Sequence, residues 1–266
     1  MSERTTYTPG TPCWVELSGT PDVEASQAFY RELFGWEMPE LPNSAELGGY
    51  RRAKLNGRDV AGVSPAMEEG QPIAWATYVS VEDAAATTEA IRGNGGSVMV
   101  EPMPVRDLGT MAVFTDPGGA VFGLWQPGSF AGSELANEHG AFVWNELGTR
   151  DPAGAKEFYG AVFGWGYDDM ESPRVGTYTA WKVGEAMVGG MLNIDAAGLP
   201  AEIPAHWLVY FGVEDADAAV EKIKAGGGSV RMEPIEIPAG RFAVVADPFG
   251  AVFAVMQPLE ETPAAR

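Results

Sequence analysis

Asp22-Val23-Glu24-Ala25-Ser26-Gln27-Ala28-Phe29-Tyr30, running on to Leu33-Phe34-Gly35-Trp36, is written a second time as Asp151-Pro152-Ala153-Gly154-Ala155-Lys156-Glu157-Phe158-Tyr159, running on to Val162-Phe163-Gly164-Trp165. An acidic cap, apolar side chains gathered on one side and a glycine stop make each stretch an amphipathic helix. The later landmarks return in the same order: Val81-Glu82-Asp83 as Val213-Glu214-Asp215, Gly95-Gly96-Ser97-Val98 as Gly227-Gly228-Ser229-Val230, and Asp116-Pro117 with Ala120-Val121-Phe122 as Asp247-Pro248 with Ala251-Val252-Phe253. The offset stays near about 130 residues, beyond the roughly 20 to 50 residues of a solenoid period. A whole domain is duplicated.

Around each helix the pattern alternates as strands do. In the first copy Cys13 to Leu17 reads as a strand, the helix follows from Asp22, and short strands are expected near Trp36–Met38, Tyr50–Leu55 and Val60–Val63. A second unit opens with Ile73–Val81, continues with a helix from Glu82 or Asp83 to about Arg92, and closes with strands near Ser97–Met103, Thr110–Thr115 and Ala120–Trp125. The order is β-α-β-β-β, twice per domain. The second copy repeats it with strands at Phe142–Leu147, Tyr178–Val183, Met187–Leu192, His206–Val213, Val230–Glu236, Arg241–Ala246 and Ala251–Gln257, and helices from Asp151 and over Asp215–Ala225. The organisation expected is an N-terminal tail (1–10), a first domain (11–127), a linker of small and polar residues (128–140), a second domain (141–258) and a loose C-terminal tail (259–266). The glycine runs after the helices act as C-caps, since they lack the strand-to-helix setting of a phosphate loop.

The 266 residues suffice for two domains that each bury a core, and 45% hydrophobic with 20% charged residues is a globular composition. A net charge of -20 argues against nucleic acid and anionic membrane as partners, because phosphate binding draws on clustered Lys and Arg. The single cysteine, Cys13, excludes an intramolecular disulfide or a cysteine metal cluster and reads as an inert buried thiol. The first ten residues lack the apolar core of a signal peptide, and no run approaches about 18 apolar residues, so a cytoplasmic location is expected. Nothing points to a dinucleotide fold or to a Ser or Cys nucleophile, and no cofactor is expected.

Four β-α-β-β-β units, acid-capped helices carrying Phe-Tyr and then Phe-Gly-Trp, and a terminal Asp-Pro-x-Gly-Ala-Val-Phe strand closely resemble the vicinal oxygen chelate superfamily of glyoxalases, bleomycin-resistance proteins and extradiol dioxygenases. The resemblance covers nearly the whole chain. Pro12-Cys13-Trp14-Val15-Glu16-Leu17, Val143-Trp144-Asn145-Glu146-Leu147 and Arg241-Phe242-Ala243-Val244 look most like its tandem actinobacterial subgroup, which includes a mycobacterial glyoxalase-like antigen and a protein encoded with anthracycline biosynthesis. It implies an α+β fold in which paired βαβββ modules form a half-open barrel around a cup. Single-domain relatives commonly pair two chains, so the duplication implies a monomer, with a homodimer as the alternative.

In metal-dependent members the cup holds one divalent ion gripped by His, Gln or Glu. The resemblance places those ligand positions at Trp14 and Trp144 on the first strands, near Ala61-Gly62 and Gly189-Gly190, at Ala76 and Leu208, and at Gly123 and Ala254. None is a credible ligand; the nearest acids to the glycine pairs, Asp59 and Glu185, fall in the preceding turns. The chain contains two histidines, His139 and His206. A glyoxalase-type metal site is therefore not expected, and small residues such as Ala76, Gly123 and Ala254 should leave volume in its place.

Strand alternation sends i and i+2 to one face, so Trp14, Glu16, Ala76, Tyr78, Gly123 and Trp125 should share the first cup, and Trp144, Glu146, His206, Leu208, Tyr210, Ala254 and Met256 the second. Two readings stay open for Glu16 and Glu146. In an apolar cup, desolvation raises a carboxyl pKa and makes an acid or base working near neutrality, with Tyr78 or Tyr210 as hydrogen-bond partner and His206 completing a relay in the second copy. Alternatively each Glu pins a backbone NH, an indole or an arginine such as Arg52. Trp14, Trp125, Trp144, Tyr78 and Met256, with Trp181, are candidates to contact a ligand by ring stacking or shape, whereas Trp36, Trp165, Trp75 and Trp207 read as core. The function expected is metal-independent binding of planar or polycyclic organic molecules; the alternative is a tailoring enzyme or glyoxalase-like lyase using Glu and Tyr acid–base chemistry.

Overall fold

The computed structural model describes residues 3–40 and 48–259. The expected loose tail therefore falls, from residue 260 onward, outside the described residues. The first copy contributes β1 (Pro12–Thr20), α1 (Val23–Phe34), β2 (Arg51–Leu55), β3 (Arg58–Pro65), β4 (Ala74–Ser80), α2 (Ala84–Gly93), β5 (Ser97–Val105), β6 (Gly109–Thr115) and β7 (Val121–Pro127). The second contributes β8 (Phe142–Thr149), α3 (Pro152–Phe163), β9 (Gly166–Ser172), β10 (Gly176–Val183), β11 (Ala186–Asn193), β12 (His206–Gly212), α4 (Ala216–Ala225), β13 (Ser229–Ile237), β14 (Gly240–Ala246) and β15 (Val252–Pro258). Two corrections follow. Trp36–Met38 forms no strand, only a bridge between Glu37 and Lys54. β9 was not expected: its sequence is polar and it runs along an exposed edge, so no apolar alternation marks it.

Each helix starts where the sequence caps it. Asp22, Asp83, Asp151 and Asp215 each accept a backbone N–H three residues on at 2.9 Å, satisfying a donor the helix leaves free. Gly35 and Gly164 end α1 and α3 in the left-handed conformation, at φ 74° and 68°, which a side chain would resist.

The strands form one sheet per copy, ordered β2-β3-β1-β4-β7-β6-β5 and β13-β14-β15-β12-β8-β11-β10-β9. In each, the first strands of the two modules pair antiparallel at the centre, β1 with β4 and β8 with β12. The other face of each sheet meets the other copy. α1 packs against α4 and α2 against α3, and both large apolar clusters draw residues from the two copies, one joining Tyr30, Trp36 and Trp75 to Phe211, Val220 and Phe253, the other joining Phe114 and Phe122 to Phe158, Trp165 and Trp207.

Polar bonds fasten this shared core. Tyr30 donates to Asp247 at 3.0 Å and accepts from Trp75 Nε1 at 3.1 Å; Tyr159 donates to Asp116 at 3.0 Å and accepts from Trp207 Nε1 at 2.9 Å. Each aspartate also closes its own turn through the amide of Ala251 or Ala120. The Asp-Pro motif of one copy is thus the socket for the helix tyrosine of the other. The segment from Gly128 runs pressed against the first copy, where Ser133 N donates to Cys13 O, Glu134 N to Asp59 O, and Leu135 and Ala136 are buried, before Asn137 and Gly140 bond Phe142 and Gly212 of the second. Cys13 itself is wholly buried, and burial pushes its thiol up.

Candidate functional site

The cups lie on the sheet faces turned away from the shared core, and strand register assembles them identically. Trp14 stands opposite Tyr78, Glu16 opposite Ala76 and Gly62, and Tyr78 beside Gly123. In the second copy Trp144 stands opposite Tyr210, Glu146 opposite Leu208 and Gly190, and Tyr210 beside Ala254.

The small residues do not leave the space expected of them. A Cβ on Gly62 would lie 2.3 Å from the Tyr50 hydroxyl, and one on Gly190 would lie 1.9 Å from that of Tyr178. A Cβ on Gly123 would strike the Tyr78 ring at 2.2 Å. Phenol rings fill the centre of each cup, and the glycines are there to admit them. Tyr50 and Tyr178 were missed as site residues, although they hold matching places in the repeat. Trp14 Nε1 donates to Tyr50 at 3.2 Å and Trp144 Nε1 to Tyr178 at 2.9 Å.

The carboxyls complete these clusters. Glu146 is buried at 7% exposure; it accepts from Tyr210 Oη at 2.8 Å and also bonds Tyr178. Burial raises its pKa and the two phenol donors oppose the rise. Glu16 is half-buried and accepts from Ser64 at 3.3 Å. Burial pushes it from 4.5 up to about 7, against hydrogen bonds from Ser64 and Tyr50. Its phenol partner is thus Tyr50 in place of the expected Tyr78. Nor does Arg52 pair with Glu16: it reaches across to Asp59 at 2.6 Å, where Lys54 adds a second ion pair.

Other expectations are also corrected. His206 makes no relay: its Nδ1 lies 2.9 Å from Pro204 O, and it stands opposite Gly148 as the first residue of β12. Four residues of strand, about 13 Å, separate it from Tyr210. Trp181 is wholly buried in the shared core against Tyr159 and Trp165.

The cups differ in access. Over cup 1, Phe130 stands edge-on to Trp14 at 5.0 Å and to Trp125 at 5.9 Å, and its carbonyl accepts from Trp125 Nε1 at 2.8 Å. Tyr7 packs against the same cluster and donates to Ser133 O. Trp14, Tyr78 and Trp125 are buried beneath this cover. Cup 2 opens into a wide depression of about 2260 Å³, lined among others by Trp144, Glu146, Tyr178, Tyr210, Phe242 and Met256.

This architecture identifies a class. The family model of the Glyoxalase/Bleomycin resistance protein/Dioxygenase superfamily matches residues 17–124 and 141–255, and the chain belongs to that superfamily. CFP32 of Mycobacterium tuberculosis, named as a candidate glyoxylase, is 43% identical over 97% of this chain and 98% of its own length. The anthracycline biosynthesis protein DnrV of Streptomyces peucetius is 37% identical over 98% of each chain. Among solved structures, the Mn(II)-bound glyoxalase of Novosphingobium aromaticivorans shares the fold at a TM-score of 0.65 and 19% identity, covering 97% of this chain and 85% of that one.

A metal of that kind does not fit the residues present. The implied ligand positions carry Trp, Gly, Ala and Leu, phenol rings occupy the space at Gly62, Gly123 and Gly190, and no three His, Cys, Asp or Glu side chains converge among the described residues. No helix of the described residues is long and apolar enough to cross a membrane.

Proposed function

We propose that the chain binds a small planar organic molecule in cup 2, without a metal ion. The observation that carries this is the open depression whose floor is the Trp144–Tyr178–Glu146–Tyr210 cluster, with Phe242 and Met256 beside it. Large rings supply contact area at low entropic cost, and the carboxyl and hydroxyls supply orientation. One relative is named for anthracycline biosynthesis, and anthracyclines are planar polycyclic compounds. Cup 1 serves as a closed structural counterpart.

A second reading, acid–base turnover of the bound molecule, draws support from Glu146, a carboxyl raised by burial within reach of the cavity. Titration with neutral planar probes, 2-naphthol and a hydroxyanthraquinone, tests the binding reading in protein dialysed against EDTA. Saturable one-to-one binding is expected before and after dialysis. Stoichiometric Zn, Ni, Mn or Fe in the purified chain, or binding abolished by EDTA, sinks the metal-free reading. Turnover that survives EDTA and disappears in Glu146→Gln favours the enzymatic one.

A further inference from the structure

The two cups carry the same carboxyl, phenol and indole, and differ in where positive charge comes from. Arg52 lies opposite Gly62 on β3, as Ala180 lies opposite Gly190 on β11, so the arginine of cup 1 is an alanine in cup 2. In cup 1 the Arg52 guanidinium sits over the Phe130 ring, 5.3 Å from its centroid, with Asp59 as its ion-pair partner, and its charge acts on Tyr50. The chain thus fills cup 1 with an aromatic ring and its own cation. Cup 2 has lost the whole assembly. Asp59 corresponds to Met187, each standing opposite a lysine of the neighbouring strand, and Ala180 lines the open depression.

Among the described residues Glu146, like Glu16, has no cationic partner of its own. Its partners are phenols, and it forms no ion pair among the described residues. Three arginines also line the depression, Arg4 from the N-terminal segment, Arg174 from the β9–β10 turn and Arg231 from the edge strand β13, and none of them forms an ion pair with Glu146. A buried carboxyl among electron-rich ring faces is complementary to an organic ammonium, which gains both ion pairing and cation–π attraction. The net charge of -20 enriches such cations near the surface.

We propose that cup 2 receives the positively charged head of a small organic molecule, a protonated amine or quaternary ammonium, in the space that Arg52 and Phe130 fill in cup 1. Glu146 supplies the counter-charge, and Trp144, Tyr178, Tyr210 and Phe242 supply the walls. This rests on the binding reading above and narrows it to cations.

Two probes of one shape separate charge from contact area: phenyltrimethylammonium and its neutral carbon isostere, tert-butylbenzene. Each is titrated into the intact chain and followed by tryptophan fluorescence and ligand-detected NMR saturation transfer. The ammonium should bind about tenfold more tightly or better, and Glu146→Gln, nearly isosteric and checked for fold by circular dichroism, should bring the two within about twofold. Equal or weaker binding of the ammonium overturns the inference, as does a preference that persists in Glu146→Gln. If 2-naphthol binds while the ammonium does not, the cation inference falls and the binding reading stands; if no probe binds, both fall.

Discussion

Replacing Glu16 by Gln should make the protein more stable at alkaline pH and leave it nearly unchanged at acid pH. The carboxyl is half-buried beside Ser64 and Tyr50, and burial raises its pKa from 4.5 to about 7. The folded state then holds a proton that the unfolded chain has released. A group raised in this way contributes its full stability below its unfolded pKa, about 4.5, and loses it as pH climbs to and through about 7. At 1.36 kcal/mol per pH unit the total is about 3 kcal/mol. The isoelectric point of 4.4 makes the acid end of the range unsuitable for melts. Between pH 5.5 and 8.5 the accessible part is about 2 kcal/mol, which for a chain of this size moves the melting temperature by about 4–8 °C. Glutamine keeps the shape and the Ser64 contact without the titration. Glu146, Asp116 and Asp247 are raised by burial too and tilt the wild-type profile the same way, so the quantity to measure is the difference between the variant and wild-type melting curves across pH. A difference that is flat, or that grows toward acid, refutes the argument that Glu16 titrates inside a desolvating cup.

Tyr159→Phe removes a donor from buried Asp116 and an acceptor from Trp207 Nε1; urea unfolding should show a loss of about 2–3 kcal/mol, and a loss below about 0.5 kcal/mol would mean that these hydrogen bonds contribute little to stability. Gly190→Ala places a methyl where the Tyr178 hydroxyl and Trp144 Nε1 now meet, so planar-ligand affinity should fall about tenfold, with a smaller effect on stability because the tyrosine tip can swing; unaltered affinity would take Tyr178 out of the floor. Residues 1–140 expressed alone expose the apolar faces of β1, β4 and α1 that Phe211, Val220 and Phe253 cover, so proton NMR should show a collapsed, poorly dispersed chain or a self-associated one; a well-dispersed monomer would contradict the shared core.

The duplication and most of the strand and helix order were legible because they depend on repetition, period and caps. Trp14, Glu16 and Tyr78 were placed on one face by alternation from the positions the family resemblance implied, and the register puts Trp14 directly opposite Tyr78. What filled the cups was not legible. Gly123 read as a vacancy, and it took the Tyr78 ring there, with Tyr50 and Tyr178 against Gly62 and Gly190, to show that these glycines are clearances. The repetition of a tyrosine twelve residues before Gly62 and before Gly190 is the signal that could have pointed to Tyr50 and Tyr178. His206 shared the right parity with Tyr210, yet parity fixes a face and says nothing of distance along it. Arg52 pairs with Asp59 rather than Glu16, because β3 carries Asp59 opposite Lys54, within reach of the guanidinium. The edge strand β9, polar on both sides, carried no pattern to read.

The segment from Gly128 to Ser133 has a consequence for the history open to such a chain. Two separate copies forming a dimer would have equivalent cups, and any change in one would appear in both. Once they are joined, only the first copy has chain leaving its last strand toward a second, and that chain crosses its own cup and seats Phe130 on Trp14. Covalent linkage therefore makes the sites unequal by geometry alone: one lies under the chain's own Phe130, and the other opens into the depression lined by Trp144 and Tyr210.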